Sequence, residues 1–409
     1  MITIQQNPSS ISPAYNPLVY VVSSNKVTQP NFIFVCDITV GGDTIRVKHS
    51  PDPVGSYGVF DIHRIVENYV SADDLSTGEQ GKFSTGLNNL VSYQVAFGEE
   101  FGLSTTGTTV YPSQVTDSAR YAFNAILDPM QFRFYNQSNY LVSGASTTKT
   151  FLTNSPDTLT IRADEDAWLY SMTTTSGSIY YAEIKTYTSA GVLIDTFRIE
   201  NNDQDISSSA TYINRLAIGT YNLDNVAALA LGSAPVLPAT VSYYTVKLIK
   251  FDGTQTSETK RFNISDDCTE HEVFRLTFLN KLGGFDSFTF IKASTKTIDI
   301  SRNRFKKDIG SLSGAVWSID GSARAETTYN TDITKRVVLN SDWITDDEAV
   351  WLEELVTSPI VLLHNTTYST FEAVNIIDSN YVTRKSLTDK VFNLRVTIEY
   401  SSTTNRQRA

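Results

Sequence analysis

Several residue groups have types that could do chemistry, and spacing decides each case. His271-Glu272 opens like the zinc-binding motif His-Glu-x-x-His, but position 275 is Arg, so the second ligand is missing. A solvent-facing dipeptide at a domain junction is the plainer reading. The remaining His49, His63 and His364, with Cys36 and Cys268, do not gather four zinc ligands at any local spacing. Asp164-Glu165-Asp166 and Asp203-Gln204-Asp205 carry the hard oxygen ligands that calcium takes, yet neither follows the alternating acidic loop ending in Gly. They read as turn acids. A serine nucleophile needs a sharp Gly-x-Ser-x-Gly elbow, and Gly310-Ser311-Leu312-Ser313-Gly314 has Leu at its centre. Gly78-Glu79-Gln80-Gly81-Lys82 has the wrong spacing to cradle a phosphate and runs on into Phe83. The acid pair of a glycosidase comes from distant strands, so no motif excludes one among 44 acids. No catalytic residue, cofactor or metal is expected.

One segment stands apart by charge. Arg302–Lys307 (RNRFKK) sets Arg302, Arg304, Lys306 and Lys307 around Phe305 in an otherwise acidic chain. An edge strand guarded by cations against aggregation would look like this. So would a contact with an acidic neighbour, or with phosphates. These four residues are the candidate interaction surface. The aromatic residues Tyr180-Tyr181, Tyr187 and Tyr243-Tyr244 could stack on sugars, although strand alternation turns one of each adjacent pair inward.

The elements that position these residues follow from composition. The chain has 409 residues, 41% hydrophobic and 19% charged, with 21 Tyr and 21 Phe. This is enough apolar content for packed cores, and a Thr-, Tyr- and Phe-rich chain favours strands. No apolar run approaches the roughly 18 residues of a membrane span. The net charge of −11 is opposite to that of most nucleic-acid binders. Two cysteines 232 positions apart do not make a disulfide framework, and Cys36 lies inside the apolar run Phe32–Cys36. The N-terminal MITIQQNPSSISPAYNP has neither a basic region nor an apolar core, so no secretory signal is expected there.

The fold expected is mainly β, with multi-domain antiparallel sandwiches or jelly-roll-like domains and two short helices, at about 61–71 and 346–357. Three sections differ in texture. Residues 1–145 form a β domain with one helix, where Ile62, Ile65, Val66, Tyr69 and Val70 recur at helical spacing behind an Asp61 cap. Gly41-Gly42 marks a hairpin turn. Gln131–Tyr135 reads as a strand or an arm. The stretches Gly102–Ser118 and Ser143–Pro156 read as long exposed loops, and the segment up to Pro17 as a polar arm that orders only against a neighbour. Residues 146–265 alternate in strands separated by turns, as in a middle β-sandwich. Residues 266–409 form an α+β domain around a capping box, Thr345 to Glu348. Ala349, Leu352, Leu355 and Val356 make the apolar stripe, and Pro359 is the stop.

The order of elements in this last section carries a resemblance. Phe274–Leu279, the Asn280–Phe290 segment, the basic strand, the capped helix running from Glu348 to Pro359, and Asn393–Tyr400 follow one another as in structural tail or baseplate proteins of tailed bacteriophages, particularly those infecting Bacteroidota. The opening Pro17–Val22, Asn31–Val40 and Tyr57–Val70 are similar in texture to N-terminal domains of those proteins, and the likeness covers about half of the chain. It implies a hub, ring or distal-tail-like virion component, assembled in the host cytoplasm, whose partners are its own copies and other tail proteins, with host-surface glycan as a further partner. It implies no direct nucleic-acid contact, no membrane span and no catalysis. A glycan-binding β-sandwich surface protein and, behind it, a glycoside hydrolase are the alternatives.

Overall fold

The computed structural model describes residues 1–84, 88–102, 109–110, 115–142, 144–148, 150–173, 179–201, 212–225, 237–265, 270–322, 324–365, 369–378, 391–402 and 404–405. The chain is mainly β, 51% strand and 10% helix. It divides into two compact units: Met1–Asp266 with Leu279–Asp286, and Asp267–Phe278 with Ser287–Ala409. The sections expected at 1–145 and 146–265 therefore share the first unit.

The first unit has two hydrophobic cores. In one, a three-stranded sheet (Ile2–Gln6, Val19–Ser24, Gly58–Asp61) and a seven-stranded sheet built around Ile33–Val40 and Leu90–Phe101 enclose Tyr20, Phe34, Cys36, Ile38, Phe60, Val95 and Phe97. Gly41 and Gly42 both take left-handed backbone, at φ +59 and +91, and close the tight hairpin Val40↔Asp43 expected there. Burial pushes the Cys36 thiol up to about 12, so it packs as a small hydrophobe.

The second core lies in a two-sheet sandwich. A five-stranded sheet, Thr158–Arg162, Lys260–Ser265, Tyr243–Ile249, Tyr181–Tyr187 and Leu193–Glu200 in spatial order, supplies Ala182, Ile184, Tyr244, Val246, Leu248 and Phe262. A three-stranded sheet, Trp168–Thr173, Tyr212–Ala217 and Phe83–Ser84, faces it with Leu169, Leu216 and Phe83. The last strand comes from far upstream and pairs Phe83 with Leu216 and Ser84 with Arg215. Residues 279–286 also belong to this unit. Gly283 there has φ +83, and a Cβ on it would meet the Asn124 carbonyl oxygen at 2.2 Å, so only glycine fits.

The second unit is an eight-stranded sheet. Its order runs from Phe285–Phe290 through Phe274–Leu279, Val361–Asn365, Thr370–Ile376 and Val391–Tyr400 to the 20-residue strand Glu326–Thr345, and then to the edge strand Thr295–Lys306. The short strand Thr404–Asn405 pairs beside Glu326–Thr345. The helix Asp346–Thr357 forms as expected. Glu348 N–H donates to Thr345 Oγ1 at 3.3 Å while Thr345 N–H donates to Glu348 Oε2 at 2.8 Å. Its buried face is Ala349, Trp351, Leu352 and Leu355, and Trp351 sits 5.8 Å from Phe278, centroid to centroid.

Several expectations are corrected. The 61–71 helix shrinks to one α-turn, His63–Val66, followed by a 3-10 turn, Glu67–Tyr69; the cap position is Ile62, while the Asp61 carboxylate accepts from Leu18 N–H and His63 N–H. Gln131–Tyr135 is not a strand, because Pro129–Arg133 is a helical turn started by Asp128 and Pro129. A fourth short helix is Thr220–Asp224. Within Gly102–Ser118, Thr109–Val110 and Val115–Thr116 pair with Leu90–Phe101; the rest of 103–114 lies outside the described residues. Phe151, Leu152, Thr153 and Ser155 are buried, so the second half of the stretch expected as an exposed loop at Ser143–Pro156 is not one. The N-terminal segment is likewise woven in, through Ile2–Gln6 and through Ile11–Pro13 parallel to Arg120–Phe123. Backbone pairing and buried Ile2, Ile11 and Ala14 supply there the order that composition alone does not suggest. Asp203-Gln204-Asp205 and Cys268 lie outside the described residues.

Candidate protein-interaction surface

The four expected cations sit at the end of a long edge. All twelve residues of Thr295–Lys306 are exposed, and among the described residues this strand pairs only with Glu326–Thr345. From Arg336 toward Glu326, the latter strand has left its partner Val391–Tyr400, so the pair runs on as a two-stranded ribbon flanked, among the described residues, only by Thr404–Asn405. Strand alternation sets Lys296, Ile298, Ile300, Arg302, Arg304 and Lys306 on one face. Tyr329 is the extra residue of a bulge between the pairs Asn303↔Asn330 and Arg304↔Thr328.

The ribbon continues into a second hairpin, Gly310–Ser313 with Val316–Ile319, turned by Gly314 at φ +64. Its pairs are Leu312↔Trp317 and Gly310↔Ile319 on one face, Ser311↔Ser318 and Ser313↔Val316 on the other. One face is therefore Leu312, Trp317 and Ile319, and the opposite face is mostly serine. The indole of Trp317 lies over Gly310, where a Cβ would come within 2.4 Å of the ring. Leu312, Trp317 and Ile319 are 67%, 54% and 69% exposed. A two-stranded hairpin alone is marginal in water, and this one leaves its apolar face uncovered.

Charge at the far end of the ribbon is only loosely paired. Arg304 stands 3.8 Å from Glu326, both half exposed, and Arg336 bridges Asp299 and Glu399. Among the described residues no carboxylate comes within ion-pair distance of Arg302, Lys306 or Lys307. Lys306, Lys307, Asp308, Ala325 and Glu326 line an open groove of about 620 Å³.

The other candidates serve the fold. Glu272 pairs with Lys296. Glu165 Oε2 accepts from Arg162 N–H at 3.0 Å, and Asp166 accepts from Asn222 Nδ2 at 2.6 Å and Gly78 N–H at 3.0 Å. Ser311 and Ser313 lie on the exposed hairpin. Among the described residues no group of three His, Cys, Asp or Glu side chains is placed to hold a metal ion. Tyr181 and Tyr244 point inward, as alternation requires. Tyr243 has both faces taken, by Tyr187 stacked at 4.8 Å and by the Arg261 guanidinium at 3.6 Å, which leaves no platform for a sugar ring.

Sequence reasoning missed a buried ionic cluster. Arg215 contacts Asp73, and its Nη2 donates to Glu79 Oε1 at 2.7 Å. Tyr170 OH donates to Asp73 at 3.1 Å and Trp168 Nε1 donates to Glu79 at 3.0 Å. Burial drives the Tyr170 hydroxyl well above its ordinary range, so it stays a donor. The partners are far apart in sequence and no local pattern announces them. The apolar hairpin at 309–319 did carry a signal, since Leu312, Trp317 and Ile319 alternate with serines around Gly314.

No family model and no curated protein matches the chain. Its function must therefore be read from these surfaces. No described helix is long and apolar enough to cross a membrane.

Proposed function

We propose that the chain is a non-catalytic structural subunit that docks to neighbouring proteins through the 295–345 ribbon, and that its setting is a bacteriophage virion, as a tail, baseplate or hub-ring component assembled in the host cytoplasm. The observation that carries the assembly role is the uncovered apolar face of Leu312, Trp317 and Ile319 at the end of a cationic two-stranded ribbon. Contiguous exposed apolar surface rimmed by polar residues marks a partner site. The setting rests on the resemblance in the order of elements, together with cores built from sheets. Phage particles propagated from the source of this sequence should contain the chain in several copies per particle by quantitative mass spectrometry. Particles that lack it overturn the virion setting.

A further inference from the structure

We infer that the ribbon's partner is a second copy of this chain, bound head-to-tail, with Arg302, Arg304, Lys306 and Lys307 set against acidic surface of the next copy and the Leu312–Trp317–Ile319 face covered in the same contact. The inference rests on the assembly role proposed above and names the partner at that site. The 295–307 segment carries five cations against one acid, Asp299, in a chain of net charge −11. The negative excess outside the segment is therefore larger than that of the whole chain, and every copy offers the charge the ribbon lacks. Two ribbons laid face to face would oppose Arg302, Arg304 and Lys306 to their own copies, which disfavours a symmetric ribbon-to-ribbon dimer. The acceptor is then a different surface from the donor, the heterologous geometry that closes into rings or continues as filaments. An anionic membrane is the poorer occupant, because the chain's net negative charge opposes its approach. The free part of the ribbon, nine residues beyond the Thr297↔Arg336 pair at ~3.3 Å each, is about 30 Å long and ends in the apolar hairpin.

The test is sedimentation velocity on the full chain across a wide concentration range, at low and high salt, with vesicle co-sedimentation beside it. Reversible association is expected, weaker at high salt. Leu312→Ser with Trp317→Ser should raise the dissociation constant roughly tenfold or more, since buried aromatic anchors dominate interfaces. Arg302→Glu with Arg304→Glu should weaken association chiefly at low salt. Both variants should keep the parent's unfolding midpoint, because these side chains are exposed. A strict monomer at every concentration overturns the inference, as does association indifferent to both variants. So does binding to phosphatidylglycerol vesicles that the hairpin variant loses. Association that holds while particles lack the chain leaves the inference standing and removes the virion setting alone.

Discussion

Arg215 and Arg304 both lie on β-strands beside carboxylates, and they do opposite things. The Arg215 side chain is 8% exposed and is held by Asp73 and Glu79, which in turn accept from Tyr170 and Trp168. The Arg304 side chain is 50% exposed and stands 3.8 Å from Glu326. In the sandwich, folding itself consumes the charge: the cluster fastens the upstream 73–84 segment to the strand Tyr212–Ala217. On the ribbon, folding leaves charge and apolar area unspent. The difference separates residues that stabilise the fold from residues left exposed for the contact proposed above.

That contrast can be broken most sharply at Arg215. Arg215→Met should cost about 3–5 kcal/mol in denaturant unfolding, because it leaves Asp73 and Glu79 buried without their cation. A loss below about 1 kcal/mol would mean that the cluster is not structural. Leucines give the next comparison. Leu352→Ala, in the fully buried helix face, should cost roughly 2–5 kcal/mol, whereas Leu312→Ala at the ribbon's end should stay within about 0.5 kcal/mol of the parent. Thr345→Ala should cost about 1 kcal/mol through loss of the cap. If either helix variant matched the parent, the helix would not be part of the second unit's core.

Acid sharpens the comparison further. Burial works to raise Asp117, but hydrogen bonds from Arg120 and Tyr20 outweigh it and hold the carboxylate below its ordinary value of 3.8. Its folded pKa is depressed, so the unfolded chain takes the proton first. The stability it contributes is present above pH 3.8 and is lost as pH falls through the lower folded value. Asp117→Asn should therefore flatten the acid limb of a stability–pH curve. An unchanged limb would show that this carboxylate does not couple to folding. The smallest effect belongs to Arg304→Ala, within about 0.5 kcal/mol in unfolding, since exposed ion pairs contribute little.

What the sequence revealed followed the range of the interactions. The Thr345–Glu348 box and the Gly41-Gly42 turn are local devices, complete within a few residues, and both stand in the structure as read. The cations of Arg302–Lys307 were visible by contrast with an acidic chain, and strand alternation foretold that one of each adjacent Tyr pair faces inward, the structure turning in Tyr181 and Tyr244. Gln131–Tyr135, expected as a strand or an arm, falls in the helical turn Pro129–Arg133, which the local pair Asp128-Pro129 starts. The Asp73–Glu79–Arg215 cluster and the buried Phe151-Leu152 were illegible for a different reason. Their partners are supplied by residues more than a hundred positions away or by irregular backbone, and no periodicity encodes either.

The strand Phe83–Ser84 also sets a timetable. Asp73 and Arg215 are separated by 142 positions, so the sandwich cannot be completed until synthesis has passed the strand Tyr212–Ala217. Contacts of such separation form late and slow the search for the native state. Until then, the three-stranded sheet lacks its middle strand, and the 73–84 segment waits in solvent beside sequence that has already emerged. An interruption of translation between these points would leave a first core able to form and a second without the strand that joins Phe83–Ser84 to Trp168–Thr173.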